Sequence, residues 1–128
     1  MLTRDAILEI QDIDIERVDV PEWGGFVFVK GMSGTERDTF EASIVESRGK
    51  SPKVNMANIR AKLAATTICD EDCKRLFTQK DVNALGKKSA NALDRIFDVA
   101  QRLSGITEGD IEELSEEMEN PSDGSASD

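Results

Sequence analysis

A turn, an apolar strand and a helix cap follow one another without a break between Pro21 and Glu41, in the stretch PEWGGFVFVKGMSGTERDTFE. The stretch holds the only Trp and three of the five Phe, so any core this chain builds has to pass through it. Pro21 fixes φ and lacks a donor, and Gly24-Gly25 permits positive φ, which predicts a turn over 21–25. Phe26-Val27-Phe28-Val29 is a short run of aromatic and β-branched residues, the pattern of a strand buried on one or both faces. Lys30-Gly31 ends it. Ser33 and Glu36 then have capping-box spacing: the Ser oxygen can accept from the Glu36 amide while the carboxylate reaches back to the Ser33 amide.

Upstream, Asp12-Ile13-Asp14-Ile15-Glu16 alternates acidic and apolar residues, as a half-buried strand does. The alternation slips at Arg17, because Ile15 and Val18 have opposite parity. A bulge or bend near Glu16-Arg17 would return Val18 and Val20 to the inner face. The two strands make a hairpin, which is marginal alone and has to pack on helices. Thr3 can cap one helical turn through Leu8.

The remainder reads as helix. The first runs over 34–47, with Phe40 and Ile44 one turn apart on its inner face. Residues 48–53 are basic and rich in breakers, hence a loop. A second helix over 55–66 places Met56, Ile59 and Leu63 in register. Between Thr66 and Phe77 two readings stand: a hairpin with strands at 66–69 and 75–77 around the turn 70–73, or continued helix. Thr78 with Asp81 caps a short helix through Leu85, ended by Gly86. Residues 89–104 form the strongest helix, with Leu93, Ile96, Phe97, Ala100 and Leu103 on one stripe. Arg102 suits the negative end of its dipole and Gly105 its C′ position. Thr107 and Asp110 open a last helix carrying Ile111, Leu114 and Met118, stopped at Asn120-Pro121. The class is therefore α+β: a mostly helical small domain over 1–119, an N-terminal β-hairpin, and a disordered acidic tail over 120–128.

Charge narrows the function. The chain has 128 residues and a formal net charge of −10, with 26 acidic and 16 basic side chains. Nine of the acids and none of the bases lie from Thr107 onward, which leaves residues 1–106 with 17 acids against 16 bases. An acidic end repels phosphate backbones, so nucleic acid is not an expected partner. No window is long and apolar enough to span a membrane, and the first residues lack a signal-peptide core, which points to a cytoplasmic protein. Cys69 and Cys73, with no His in the chain, fall short of a zinc set and read as reduced thiols. Asp12, Asp14 and Glu16 lack the Gly and terminal Glu of a calcium loop. Asp70-Glu71-Asp72 beside the cysteines reads as an acidic turn. Gly24-Gly25 is followed by no Lys-Ser/Thr at Walker spacing. No catalytic, metal or cofactor residue is assigned. Trp23 serves either as a core anchor of the turn or as an exposed anchor for a partner. The Ile111–Met118 stripe either packs back on the core or offers its apolar face to another helix.

Three pieces of the chain, in order, resemble the tail assembly chaperones of long-tailed, siphovirus-type bacteriophages and prophages. They are VPEWGGFVFVKGMSGTERDTFE, then CDEDCKRLFTQKDVNALGKKSANALDRIFDVAQRLSGI, then the acidic end. The resemblance runs from Asp12 to Glu113, and the order and spacing of its words carry it: WGG, ERDTFE, RLFT, KSANALDRIF and RLSGI. Cys73 departs from it, at a turn position where such proteins would have Gly. The resemblance implies no enzyme and no cofactor. It implies a protein that binds the long, helical tape measure protein, keeps it soluble, helps bring tail tube subunits to it, and is absent from the finished virion. A small acidic adaptor acting through partner binding is the other reading.

Overall fold

The computed structural model describes residues 1–50, 56–107, 109–111 and 113. Its elements run α1 (Arg4–Glu9), β1 (Ile15–Val20), β2 (Gly25–Lys30), α2 (Gly34–Lys50), α3 (Met56–Thr67), β3 (Ile68–Cys69), α4 (Val82–Leu85) and α5 (Ala90–Ser104). A 3₁₀ turn over Pro21–Trp23 joins β1 to β2, and another over Gln79–Asp81 leads into α4. The fold is α+β, dominated by helices, with a three-stranded antiparallel sheet in the order β1-β2-β3. The N-terminal hairpin and the turn at its tip are as expected, with Gly24 at φ +72° closing the turn.

The hairpin corrects one expectation. Its register is unbroken from Ile15↔Lys30 to Val20↔Gly25, so no bulge interrupts β1. The strand starts at Ile15 rather than Asp12, and Ile13 and Ile15 stay exposed while Val18 and Val20 are buried. The inner parity is chosen by the partner strand: Val18 faces Val27 across the ladder, and Val29 follows on the same side with no exposure. Apolar side chains gathered from two strands outweigh a local alternation in one. On the other face, Arg17 stacks over the Phe26 ring at 3.8 Å, and the Phe26 and Phe28 rings meet edge to face at 5.6 Å.

α5 packs across the inner face of β1 and β2, and α3 packs against α5. The stripe on α5 is buried through Leu93, Ile96, Phe97 and Ala100, and it meets Phe40, Ile44, Ile59 and Leu63 in one core. Ser89 caps its first turn through Ala92, and Gly105 ends it at φ +72°. The amides of Gly105 and Ile106 both bond to the Gln101 carbonyl, which uses a group that the helix leaves unpaired.

Gly31 is where the two ends of the domain meet. Its amide donates to the Asp14 carbonyl at 2.9 Å, and the Met32 amide donates to Ser104 Oγ at 3.0 Å. A β-carbon on Gly31 would lie 2.6 Å from the Leu103 carbonyl oxygen. Only a residue without a side chain lets the end of β2 come this close to the end of α5.

The stretch after α3 resolves into a minimal hairpin. α3 continues through Thr67, whose hydroxyl donates to the Leu63 carbonyl at 2.7 Å. Ile68 and Cys69 pair with Val29 and Phe28, and the return strand shrinks to one bridge between Cys69 and Arg75. Asp70 organises the turn: its carboxylate accepts from the Asp72 and Lys74 amides. Cys73 sits at φ +67°, so a Gly preference here has a backbone cause. Both cysteines are free thiols, Cys69 buried and Cys73 exposed.

α2 extends to Lys50, past the expected end at Ser47. Gly49 is tolerated because a single helical Gly costs only about 1 kcal/mol. The rest of the expected loop lies outside the described residues, as do Leu114, Met118 and the expected tail.

Candidate functional site

Two surfaces of the domain stand out as candidate sites. The first is the N-terminal run and the outer face of the hairpin beside it. Thr3 caps α1 by accepting from the Ala6 amide at 3.2 Å, yet α1 buries none of its residues. Leu2, Ile7, Leu8, Ile10, Ile13, Ile15 and Phe26 keep between 40% and 66% of their surface exposed. One exposed Leu is ordinary; seven large apolar side chains left exposed, six of them from the first fifteen residues, are not.

This run also lines a cavity of about 360 Å³, where Gln11, Ile13 and Ile15 face Lys30, Ser33, Glu36 and Cys73. The polar wall is held rigidly. Lys30 pairs with Glu36 at 3.2 Å, and the Ser33–Glu36 capping box is fully formed. Burial is the largest influence on Glu36 and favours its neutral form, but the Ser33 amide and Lys30 together hold its carboxyl below the usual range. Burial pushes the Cys69 thiol up, which makes it a poor nucleophile.

The second surface is a groove of about 380 Å³ lined by Trp23, Phe77, Asp81, Ala84, Leu85 and Lys88. The Pro21–Trp23 turn sets one wall and α4 the other. Trp23 is partly buried and packs against the core, so it serves as turn anchor and as groove wall at once. Glu22 beside it is clamped by Arg95 of α5 at 3.0 Å. That hydrogen bond, with one to the Glu22 backbone, holds the carboxyl below the usual range. α4 is placed by the capping box of Thr78 and Asp81 and by close approach to α3. Gly86 has the Ala61 side chain 3.6 Å from where its own β-carbon would be.

Ile111 resolves the question put to the last stripe, at least at its start. Thr107 and Asp110 form a reciprocal cap at 3.0 Å in both directions, and Ile111 is buried in the core. Among the described residues, no group of three His, Cys, Asp or Glu side chains could hold a metal ion, and no helix is long and apolar enough to cross a membrane. The exposed N-terminal run was not singled out as a site by the sequence. Its signal is the density of Leu and Ile ahead of β1, which no helix among the described residues buries.

The two candidate surfaces are carried by a small helical domain with an N-terminal hairpin. The model of the phage tail assembly chaperone family matches residues 3–120, all but the first two and the last eight of the chain, and the chain belongs to that family. No curated protein and no solved structure gives a match. The words on which the resemblance rests have plain structural work. The Arg-Leu-Ser-Gly-Ile run ends α5 and receives Gly31 and Met32. The Asp-Arg-Ile-Phe run pairs Asp94 with Arg60 at 2.9 Å and Arg95 with Glu22, and buries Ile96 and Phe97.

Proposed function

We propose that this chaperone binds the tape measure protein of its phage through the exposed apolar surface formed by residues 2–15 and Phe26. It keeps that client soluble in the host cytoplasm and presents it to tail tube subunits until the tube closes around it. The observation that carries the reading is the exposure of Leu2, Ile7, Leu8 and Ile10 around a capped helix that buries nothing of its own. An apolar stripe on a long helical client is covered by such a surface, and the acidic end keeps the complex dispersed. Release is built in as well. A short helix that buries none of its residues is cheap to detach, because little of the domain's own stability depends on it.

The test is co-expression with the tape measure protein of the same phage, scored as soluble client. Wild type raises the soluble fraction and co-purifies. Ile7→Ser/Leu8→Ser/Ile10→Ser leaves the melting temperature within about 1 °C, since surface changes alter stability little, and loses the client. Full client solubility with this triple variant refutes the surface. No effect of the wild type refutes the function.

A further inference from the structure

On the reading that residues 2–15 take the tape measure protein, we propose that the client segment they take is cationic. It is a helix whose apolar ridge enters the cavity beside Ile13 and Ile15, and whose Lys or Arg side chains, four residues apart, pair with Asp12 and Asp14.

The charge of the N-terminal run is uneven. Residues 1–22 hold seven acids against two bases. Four of the acids are already neutralised. Arg4 pairs with Asp5 at 2.9 Å, Arg17 with Asp19 at 3.2 Å, Arg95 with Glu22 at 3.0 Å and Arg102 with Glu16 at 2.7 Å. The other three, Glu9, Asp12 and Asp14, are exposed and form no ion pair with a described residue. They fall within positions 9–14, where Ile10 and Ile13 are exposed as well. Lys30 is close by in the cavity wall, but Glu36 engages it at 3.2 Å, so the wall itself contributes no net charge. Negative charge left uncompensated beside exposed Ile side chains calls for a partner that is apolar and cationic at once. The same carboxylates repel nucleic acid and anionic lipid.

Spacing narrows the partner further. Gln11, Ile13 and Ile15 line the cavity at every second position, which is the alternation of an extended chain. Asp12 and Asp14 therefore point away from the cavity, on the outward side of the same wall. A Lys or Arg stem lies along apolar side chains while its charge reaches past them. Two residues of extended chain set the α-carbons of Asp12 and Asp14 at most about 7 Å apart. Residues four apart on a helix rise about 6 Å and share one face. A helix laid along this stretch meets both carboxylates with cations at that spacing and turns its apolar ridge toward Ile13 and Ile15. The cavity, about 360 Å³, has room for a Leu or Phe side chain, since about 150 Å³ already holds a benzene ring.

Cys73 lies in the cavity wall and is exposed, whereas Cys69 is buried, so alkylation of Cys73 reports whether the cavity is filled. The experiment captures the tape measure protein of the same phage on the full-length chaperone and washes the complex with rising sodium chloride. The expected result is a client held at low salt and released as salt screens the pairs. Glu9→Gln/Asp12→Asn/Asp14→Asn keeps its melting temperature within about 1 °C and weakens retention about tenfold. Asp38→Asn/Asp98→Asn, at exposed acids of α2 and α5, retains the client as wild type does. Hydrogen exchange on the complex protects a client segment with Lys or Arg four apart beside an apolar ridge, and iodoacetamide reacts with Cys73 more slowly than in the free protein. Retention that neither salt nor the three amides reduce, but that Ile7→Ser/Leu8→Ser/Ile10→Ser abolishes, overturns the cationic partner and leaves the apolar surface standing. A protected client segment without basic residues overturns it, as does unchanged Cys73 alkylation in the complex. Cys73 protection that grows with the concentration of the protein alone assigns the cavity to a second copy and overturns it too. A client that wild type never holds removes the client reading and this proposal together.

Discussion

Gly31→Ala tests the meeting of β2 and α5 with a single methyl group. The added β-carbon would stand 2.6 Å from the Leu103 oxygen and 3.2 Å from its carbonyl carbon. Both are backbone atoms, so no rotamer can move them aside. Leu103 is in the last turn of α5, and its carbonyl is among those that the helix leaves without an internal partner. In the native protein that oxygen looks at a Gly31 Cα–H, a weak but favourable contact. To reach an ordinary separation the two segments have to part by several tenths of an ångström. That loosens the Gly31–Asp14 and Met32–Ser104 hydrogen bonds formed at the same point. Overpacking of this kind costs about 1–3 kcal/mol. Gly31 is not at positive φ, so Ala also restricts the unfolded chain and returns about 0.4–1 kcal/mol. The net loss is about 1–2 kcal/mol, a fall of roughly 4–8 °C in the melting temperature at about 4 °C per kcal/mol. Gly34→Ala is the control, since nothing lies within 4 Å of its β-carbon. Thermal unfolding followed by circular dichroism reads both. If the Gly31 and Gly34 variants melt together, the close approach does not hold the domain shut and the reasoning is wrong.

Phe97→Ala removes a ring that is 7% exposed at the centre of the α5 stripe, and should cost about 3–5 kcal/mol in urea unfolding; a loss below about 1 kcal/mol means the stripe is not the core. Cys73→Gly relieves an αL conformation whose cost of about 1–2 kcal/mol exceeds the extra freedom of Gly in the unfolded chain, so stability should rise by about 0.5–1 kcal/mol. Cys73→Ala keeps the β-carbon and should bring no gain; equal effects of the two would remove φ as the cause. Glu22, Glu36 and Asp110 all have carboxyls held below their usual range, Glu22 chiefly by Arg95, Glu36 by Ser33 and Lys30 against its burial, and Asp110 chiefly by the Thr107 amide. Their stabilisation is complete above the ordinary carboxylate pKa of about 4 and is lost as pH falls through the lower folded values. The urea midpoint should be flat near neutrality and fall in acid, and Asp110→Asn should make that acid fall shallower; an unchanged acid profile would mean that the Thr107 cap contributes nothing.

The features legible in the sequence are those decided within a few residues. The boxes at Ser33–Glu36, Thr78–Asp81 and Thr107–Asp110 all form, because donor and acceptor are brought together by one turn of helix. The α5 stripe was equally plain, since its period is a property of one segment. Strand parity was not. Ile13 and Ile15 alternate as convincingly as Val18 and Val20, and only the pairing of Val18 with Val27 decides which set is inside. The second hairpin was readable as an alternative to helix because Thr66-Thr67 continues α3 while Ile68-Cys69 pairs with β2. The candidate surfaces were harder still. Trp23 was visible as a residue of interest, but its groove is completed by Phe77 and Leu85, more than fifty positions away. The N-terminal surface depends on what fails to pack against it, and that is a property of the whole fold.

The clasp between Gly31, Met32 and Ser104 also sets an order of events on the ribosome. The hairpin is finished by Lys30, but the helix that covers its inner face ends at Ser104, 74 residues later. At about 5–20 residues per second, the nascent hairpin waits about 4–15 s for its cover. During that interval Val18, Val20 and Val29 lack the cover of α5, on a hairpin that is marginal by itself until β3 joins it. The domain therefore closes only when its synthesis is nearly complete, and a chain broken off before α5 is made cannot pass for a finished chaperone.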